Sequence, residues 1–359
     1  MLHTARAAFT TLAVVAVLGA SVSALTTSNP ASAQPNSACA QAGGALAGLL
    51  PSGSAVSAYL CAQAGDLIDV RIGDVHGTQP SLGRDEVFYK LGRYTLGKDA
   101  INKKFDDWCE ANGQVKAATV AANATLADRG SFTCDLPIGQ ETAASIAPMK
   151  TVVIGPGGTL YLADGHHTLT SFYELPDGGP NLHLRLNVLG NLSQYSGNAF
   201  WAEMARNGWV WNRDVDGNVV PYEQLPASVG LSNYADDKYR SLMYFARDIG
   251  YTENRTPFQE FYWGSWLRDT GAADLSAWNA NDLTSYLDTL ARATMAQSAL
   301  PGDAVVDSGL TAAQLGALAQ WNDGKSTDKG EFANISKPYS DPKPGKIAYS
   351  LEYKAIHGK

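Results

Sequence analysis

The sequence predicts an α+β fold, with an α/β core in its N-terminal part and a helical C-terminal half. Three observations predict it. β-rich runs alternate with helical spacing as far as about residue 195, helical periodicity dominates from residue 198, and a Gly-Pro-Gly-Gly turn at 155–158 joins two β-rich runs into a hairpin. With 359 residues, 45% hydrophobic and 17% charged, the chain can bury a sizeable core.

Residues 1–33 read as a secretory signal. His3 and Arg6 open it, an apolar run extends from Ala7 to Leu25, and Ala31-Ser32-Ala33 supplies the small-residue cleavage site. The expected location is therefore secreted, periplasmic or cell-envelope. Arg6 is the only ionised side chain in that segment, so the 27 basic side chains fall to 26 against 35 acidic, a net of −9. This excludes a broadly basic protein that coats nucleic acid, although a local basic groove stays open.

Residues 34–65 carry no charge and are rich in Ala and Gly, which reads as a small helical hairpin. The four cysteines, Cys39, Cys61, Cys109 and Cys134, form an even set in an exported chain, which favours two disulfides. Of the three possible pairings, Cys39–Cys61 with Cys109–Cys134 closes the shortest loops.

Residues 66–195 form the expected α/β core. Alternation at 67–72 marks a half-buried strand, followed by a loop at 74–80. Val87, Leu91 and Tyr94 mark a helix at about 84–94; Ile101, Phe105 and Trp108 mark another at 98–111, with Lys103 and Lys104 off its apolar face. Ala-rich spacing within 116–134 suggests a short helix. Strands are expected at 151–154, 159–163 and 182–189. Residues 196–320 form the helical part, with helices near Phe200, at Tyr239–Ile249, Phe258–Leu267, 282–297 and 311–320, and a linker at 301–310. Residues 321–359, with seven Lys, Pro338, Pro342 and Pro344, read as a mostly extended tail.

The chemistry concentrates where a strand ends and a helix begins, at Asp164-Gly165-His166-His167-Thr168. The first turn of a helix leaves backbone N–H groups without partners, and the macrodipole adds about half a positive charge there. A phosphate suits that position. Gly165 permits close approach, Thr168 offers a hydroxyl, and His166 and His167 are candidate acids or bases. Because neighbouring helical residues point in different directions, at most one of the two imidazoles is expected to face a given ligand, the other anchoring the turn or packing inward. Asp164 could alternatively be a plain N-cap.

The stretch 67–83 with Thr78-Gln79 and Gly83, the run 159–173, Asp236-Asp237-Lys238-Tyr239-Arg240, and Pro257-Phe258-Gln259-Glu260-Phe261 together resemble the ParB/sulfiredoxin superfamily, specifically its ParB-like nuclease branch. The resemblance spans roughly 66–268. It implies a ParB/sulfiredoxin-like domain, and a phosphate held by Asp164 to Thr168 with Thr78 and Gln79 lining the same cleft. The sequence departs from the superfamily at Thr168, where Arg is common, and a neutral hydroxyl grips phosphate less strongly than a guanidinium. With no cysteine in the turn, thiolate attack from this position is excluded.

Glu260, on an aromatic helix, is the acidic candidate for proton transfer, since burial would raise its pKa; the alternative is an ion pair with Arg240 or Arg268. Lys90 and Arg240 are candidate phosphate partners. Histidine spacing does not fit zinc, whereas a Mg²⁺ held by Asp164 and phosphate oxygens remains open. Three functions compete: an exported nuclease or phosphodiesterase, a nucleotide-dependent kinase of a small molecule, and a non-catalytic module that binds an anion or nucleotide.

Overall fold

The computed structural model describes residues 59–98, 103–254 and 256–359. In chain order its first elements are β1 (Leu67–Arg71), β2 (Val75–His76), β3 (Ser81–Leu82), α1 (Arg84–Leu96), α2 (Lys103–Ala111), β4 (Ala117–Val120) and β5 (Phe132–Cys134). Then come α3 (Ala143–Ile146), β6 (Thr151–Ile154), β7 (Leu160–Asp164), α4 (His166–Glu174), β8 (His183–Asn191) and α5 (Gly197–Arg206). The remainder is β9 (Ala235–Asp236), α6 (Lys238–Phe245), α7 (Gln259–Thr270), α8 (Leu283–Ser298), β10 (Val305–Asp307), β11 (Leu310–Thr311), α9 (Gly330–Ile335) and α10 (Lys346–His357).

Five strands form one mixed sheet in the order β1-β8-β6-β7-β2, antiparallel except for the β6/β8 and β2/β7 pairs. The period of two decides its faces. Val152, Ile154, Leu160, Leu162, Leu184 and Leu186 point into the main core with Leu91, Phe105, Leu169 and Phe172 from the helices. Val153 and Tyr161 point to the other side, where Phe200 and Met204 of α5 cover them. Each such burial contributes roughly 1.5–3 kcal/mol. A second core, built from Leu242, Phe245, Trp263, Tyr286 and Leu290, belongs to the helical half.

The Cys109–Cys134 disulfide is present, with its Cα atoms 5.7 Å apart. The other expected bridge, the signal segment and most of the 34–65 hairpin lie outside the described residues. Among the described residues no helix is long and apolar enough to cross a membrane.

Several expectations are corrected. The Ala-rich stretch before Cys134 is the β4–β5 hairpin rather than a helix, because Ala117 and Phe132 turn inward as a paired ribbon. Lys104 is buried, its ammonium 2.6 Å from Asp177 Oδ2, so a paired charge tolerates the inward position. Val75–His76 leaves the expected loop to become the sheet's edge strand beside β7. The linker at 301–310 contributes β10 and β11, and 311–320 is turns rather than helix. The tail is not extended: its prolines precede α10, whose Ile347, Ala348, Tyr349 and Ser350 are buried.

Candidate functional site

α4 begins abruptly because Gly165 adopts φ 105°. A Cβ there would stand 2.6 Å from Lys150 Cγ, so both the left-handed backbone and the neighbouring side chain require glycine. No side chain caps this helix, and Asp164 does not serve as its N-cap. The first intrahelical bond runs from Leu169 N–H to the Gly165 carbonyl at 2.9 Å. The N–H groups of His166, His167 and Thr168 therefore find no acceptor among the described residues.

Both imidazoles are buried and both turn to the segment between β2 and α1, so the anchoring role expected of one ring is taken by both. Thr78 N–H donates to His166 Nε2 at 3.1 Å, and Gly83 N–H donates to His167 Nε2 at 3.1 Å. A ring nitrogen that accepts must be unprotonated, so each neutral ring carries its hydrogen on Nδ1. Burial lowers His166 to about 4, with Asp164 opposing and Arg240 adding to the shift. Burial, then the positive charge of Arg240, holds His167 well below the ordinary histidine value.

Thr78 is thus brought to the start of α4, its hydroxyl donating to the Leu162 carbonyl at 2.5 Å. Gln79 stays within its own loop, donating to the Ser81 carbonyl. Neither caps α1, whose N-cap is Gly83. Tyr234 stands edge-on to His166, and its buried hydroxyl has no hydrogen-bond partner among the described residues.

Behind His167 lies a chain of buried charges. Glu86 Oε2 is 3.6 Å from His167 Nδ1 and 3.2 Å from Arg240 Nη2. The same Nη2 is 3.7 Å from Glu260 Oε2. Arg247 donates from Nε to Glu260 Oε1 at 2.8 Å, joins that oxygen through Nη2 as well, and reaches Glu253 Oε2 at 3.0 Å. Arg240 is 5% exposed, yet its Nε and Nη1 make no hydrogen bond among the described residues. Buried unpaired donors each cost about 1–3 kcal/mol, so two of them on a guanidinium whose charge acts on both imidazoles of the uncapped turn are informative.

Glu260 is buried as expected, but the pKa goes the other way. Burial alone would push its carboxyl up; the Arg247 and Arg240 guanidiniums outweigh that and hold it at about 2. Arg268 takes no part, bonding instead to Asp269. Lys90 is half-buried, makes no hydrogen bond or ion pair among the described residues, and adds to the positive field on His167. Asp164 exposes 69% of its side chain, with Lys150 Nζ 3.9 Å away. Among the described residues no group of three or more His, Cys, Asp or Glu could hold a metal ion.

Glu86, Arg247 and Lys150 were missed in the sequence. Glu86 lies one turn before Lys90, a signal for one face of α1. Lys150 gave no local signal, because the pairing of Thr151 with Asp164 is what brings it beside Gly165.

The family model described as "Putative ParB-like nuclease" matches residues 68–269. No curated protein matches the chain. Among solved structures, protein Atu1540 from Agrobacterium tumefaciens is similar at 20% identity over 65% of this chain and 93% of that one, with a TM-score of 0.42.

Proposed function

Because this chain belongs to the ParB-like nuclease family, we propose that it is an exported protein that grips a phosphate ester at the start of α4 and hydrolyses a phosphodiester there. One observation carries the binding half of this reading: three amides of an uncapped helix open the turn whose imidazoles feel the charge of Arg240, a buried guanidinium with two unpaired N–H edges. A phosphate would satisfy donors that otherwise remain costly. Thr168 and Lys150 are further partners for it. Export rests on the signal-like residues 1–33 and agrees with a disulfide in the body of the chain.

The hydrolytic half rests on the family. Its residues differ in fitness for the task. His166 and His167 already accept backbone N–H groups at Nε2, so their best role is to position the β2–α1 segment. Glu260, held at about 2, is a weak base. These facts favour one second reading, a module that binds phosphate without turnover.

Thermal melts with inorganic phosphate and a mononucleotide test the binding, and incubation with a chromogenic phosphodiester and with single-stranded DNA and RNA tests the hydrolysis. The expected result is a phosphate-dependent rise in Tm that Arg240→Lys loses, together with diester cleavage. A rise without cleavage selects the second reading, and no rise with either ligand overturns both.

A further inference from the structure

The C-terminal helix lies beyond the family match, yet it reaches a residue next to the site. Lys354, 5% exposed, donates from Nζ to Asp85 Oδ1 at 2.8 Å and to the Ala280 carbonyl at 2.6 Å. The other oxygen of Asp85 accepts from the Tyr286 hydroxyl at 3.0 Å, and Asp85 N–H donates to Ser241 Oγ at 3.2 Å. Through its carboxylate Asp85 thus ties α1 to α8 and α10, and through its backbone N–H to α6. A buried charge pair of this kind is weak evidence for added stability, and its best-attested use is to fix one arrangement.

What it fixes is the first turn of α1. Asp85 and Glu86 are consecutive there, and consecutive helical residues point to different sides. Asp85 faces α10 and α8, while Glu86 faces His167 and Arg240. The rest of α10 holds α1 along its length: Phe88 stacks on Tyr353, and the Gly92 backbone meets the Tyr349 carbonyl.

We propose that Lys354 is a positioning residue: by fastening Asp85 from behind, the C-terminal helix sets the first turn of α1 so that Glu86 stands between His167 and Arg240. This rests on the proposed phosphate site only for its consequence in binding. The segment that reads as a lysine-containing tail then acts as a clasp on the family domain.

The test uses the full chain and Lys354→Met, which keeps the aliphatic stem and removes the charge. Two measurements are made well below Tm: the imidazole nitrogen signals of His167 by NMR, and affinity for inorganic phosphate. The expected result is a change in the His167 signals and at least tenfold weaker phosphate binding, both recovered in part by the double variant Asp85→Asn with Lys354→Met. If Lys354→Met does not fold, Tyr286→Phe takes its place, with a smaller change in the same direction expected. A lowered Tm with unchanged His167 signals and unchanged phosphate affinity overturns the clasp. Should the unsubstituted protein bind no phosphate, the proposed function fails, and the clasp stands or falls on the His167 signals alone.

Discussion

Glu260 shows how a single buried group depends on its partners. Burial works against its charge, and the two arginines reverse that outcome. Replacing Arg247 by Met removes the closer partner and leaves Glu260 with Arg240 Nη2 at 3.7 Å. Breaking a buried pair from one side costs roughly 3–5 kcal/mol, whereas replacing both members by apolar residues is often neutral. Arg247→Met is therefore expected to lower unfolding free energy by about that amount in urea titrations, and Arg247→Met with Glu260→Leu to recover most of it. A loss below roughly 1 kcal/mol in the single variant would place Glu260 in the class of exposed, weakly coupled charges. The sequence marked Glu260 and offered Arg240 as its partner. Arg247 fell inside the helix expected at Tyr239–Ile249, but that helix ends at Phe245, and the turn beyond it, which local periodicity does not announce, is what brings Arg247 to Glu260.

At the scale of elements, close approach between helices decides what local propensity does not. Gly92 lies within α1, where alanine is ordinarily favoured by about 1 kcal/mol. A Cβ at this position would stand 2.5 Å from the Tyr349 carbonyl oxygen of α10, a backbone atom that moves only with its helix. Overpacking costs about 1–3 kcal/mol and wins. Gly92→Ala is expected to lower Tm, and a rise in a calorimetric melt would show that α10 is not seated on α1. This contact also explains why the tail escaped the sequence reading. Its prolines and lysines signal an extended, solvated segment, but Ile347, Ala348, Tyr349, Ser350 and Lys354 share a buried face that only the partner helix makes evident. The β6–β7 hairpin and the opening of α4 were legible because turn glycines and alternating β-rich runs act locally. The β4–β5 ribbon was not, since alanine gives little preference for strand.

For the whole molecule, the buried site predicts how stability responds to acid. His166 titrates at about 4 in the fold and near 6.5 when unfolded, and His167 lies well below 6.5 for the same reason of burial. Groups with a depressed folded pKa contribute stability that is complete above the unfolded value and is lost as pH falls through the folded one. For His166 that is about 3 kcal/mol between pH 6.5 and 4. Asp237 acts in the opposite sense. Burial raises it to about 6 from 3.8, so the fold binds its proton first and gains stability as pH falls across that interval, again by about 3 kcal/mol. Among these groups one histidine and Asp237 nearly cancel, and the second histidine leaves an acid loss. Glu260 adds to it from about pH 4.5, where it protonates in the unfolded chain while the fold holds it at about 2. Asp237→Asn separates these contributions. Asparagine still caps α6, where Asp237 now accepts from Arg240 N–H at 2.9 Å, but it takes up no proton. Melts at pH 7, 6, 5 and 4.5 are expected to show a Tm that falls by several degrees in the unsubstituted protein and more steeply in Asp237→Asn. A Tm of Asp237→Asn independent of pH across this range would mean that the imidazoles are charged or exposed, and the latch between α4 and the β2–α1 segment would have to be abandoned.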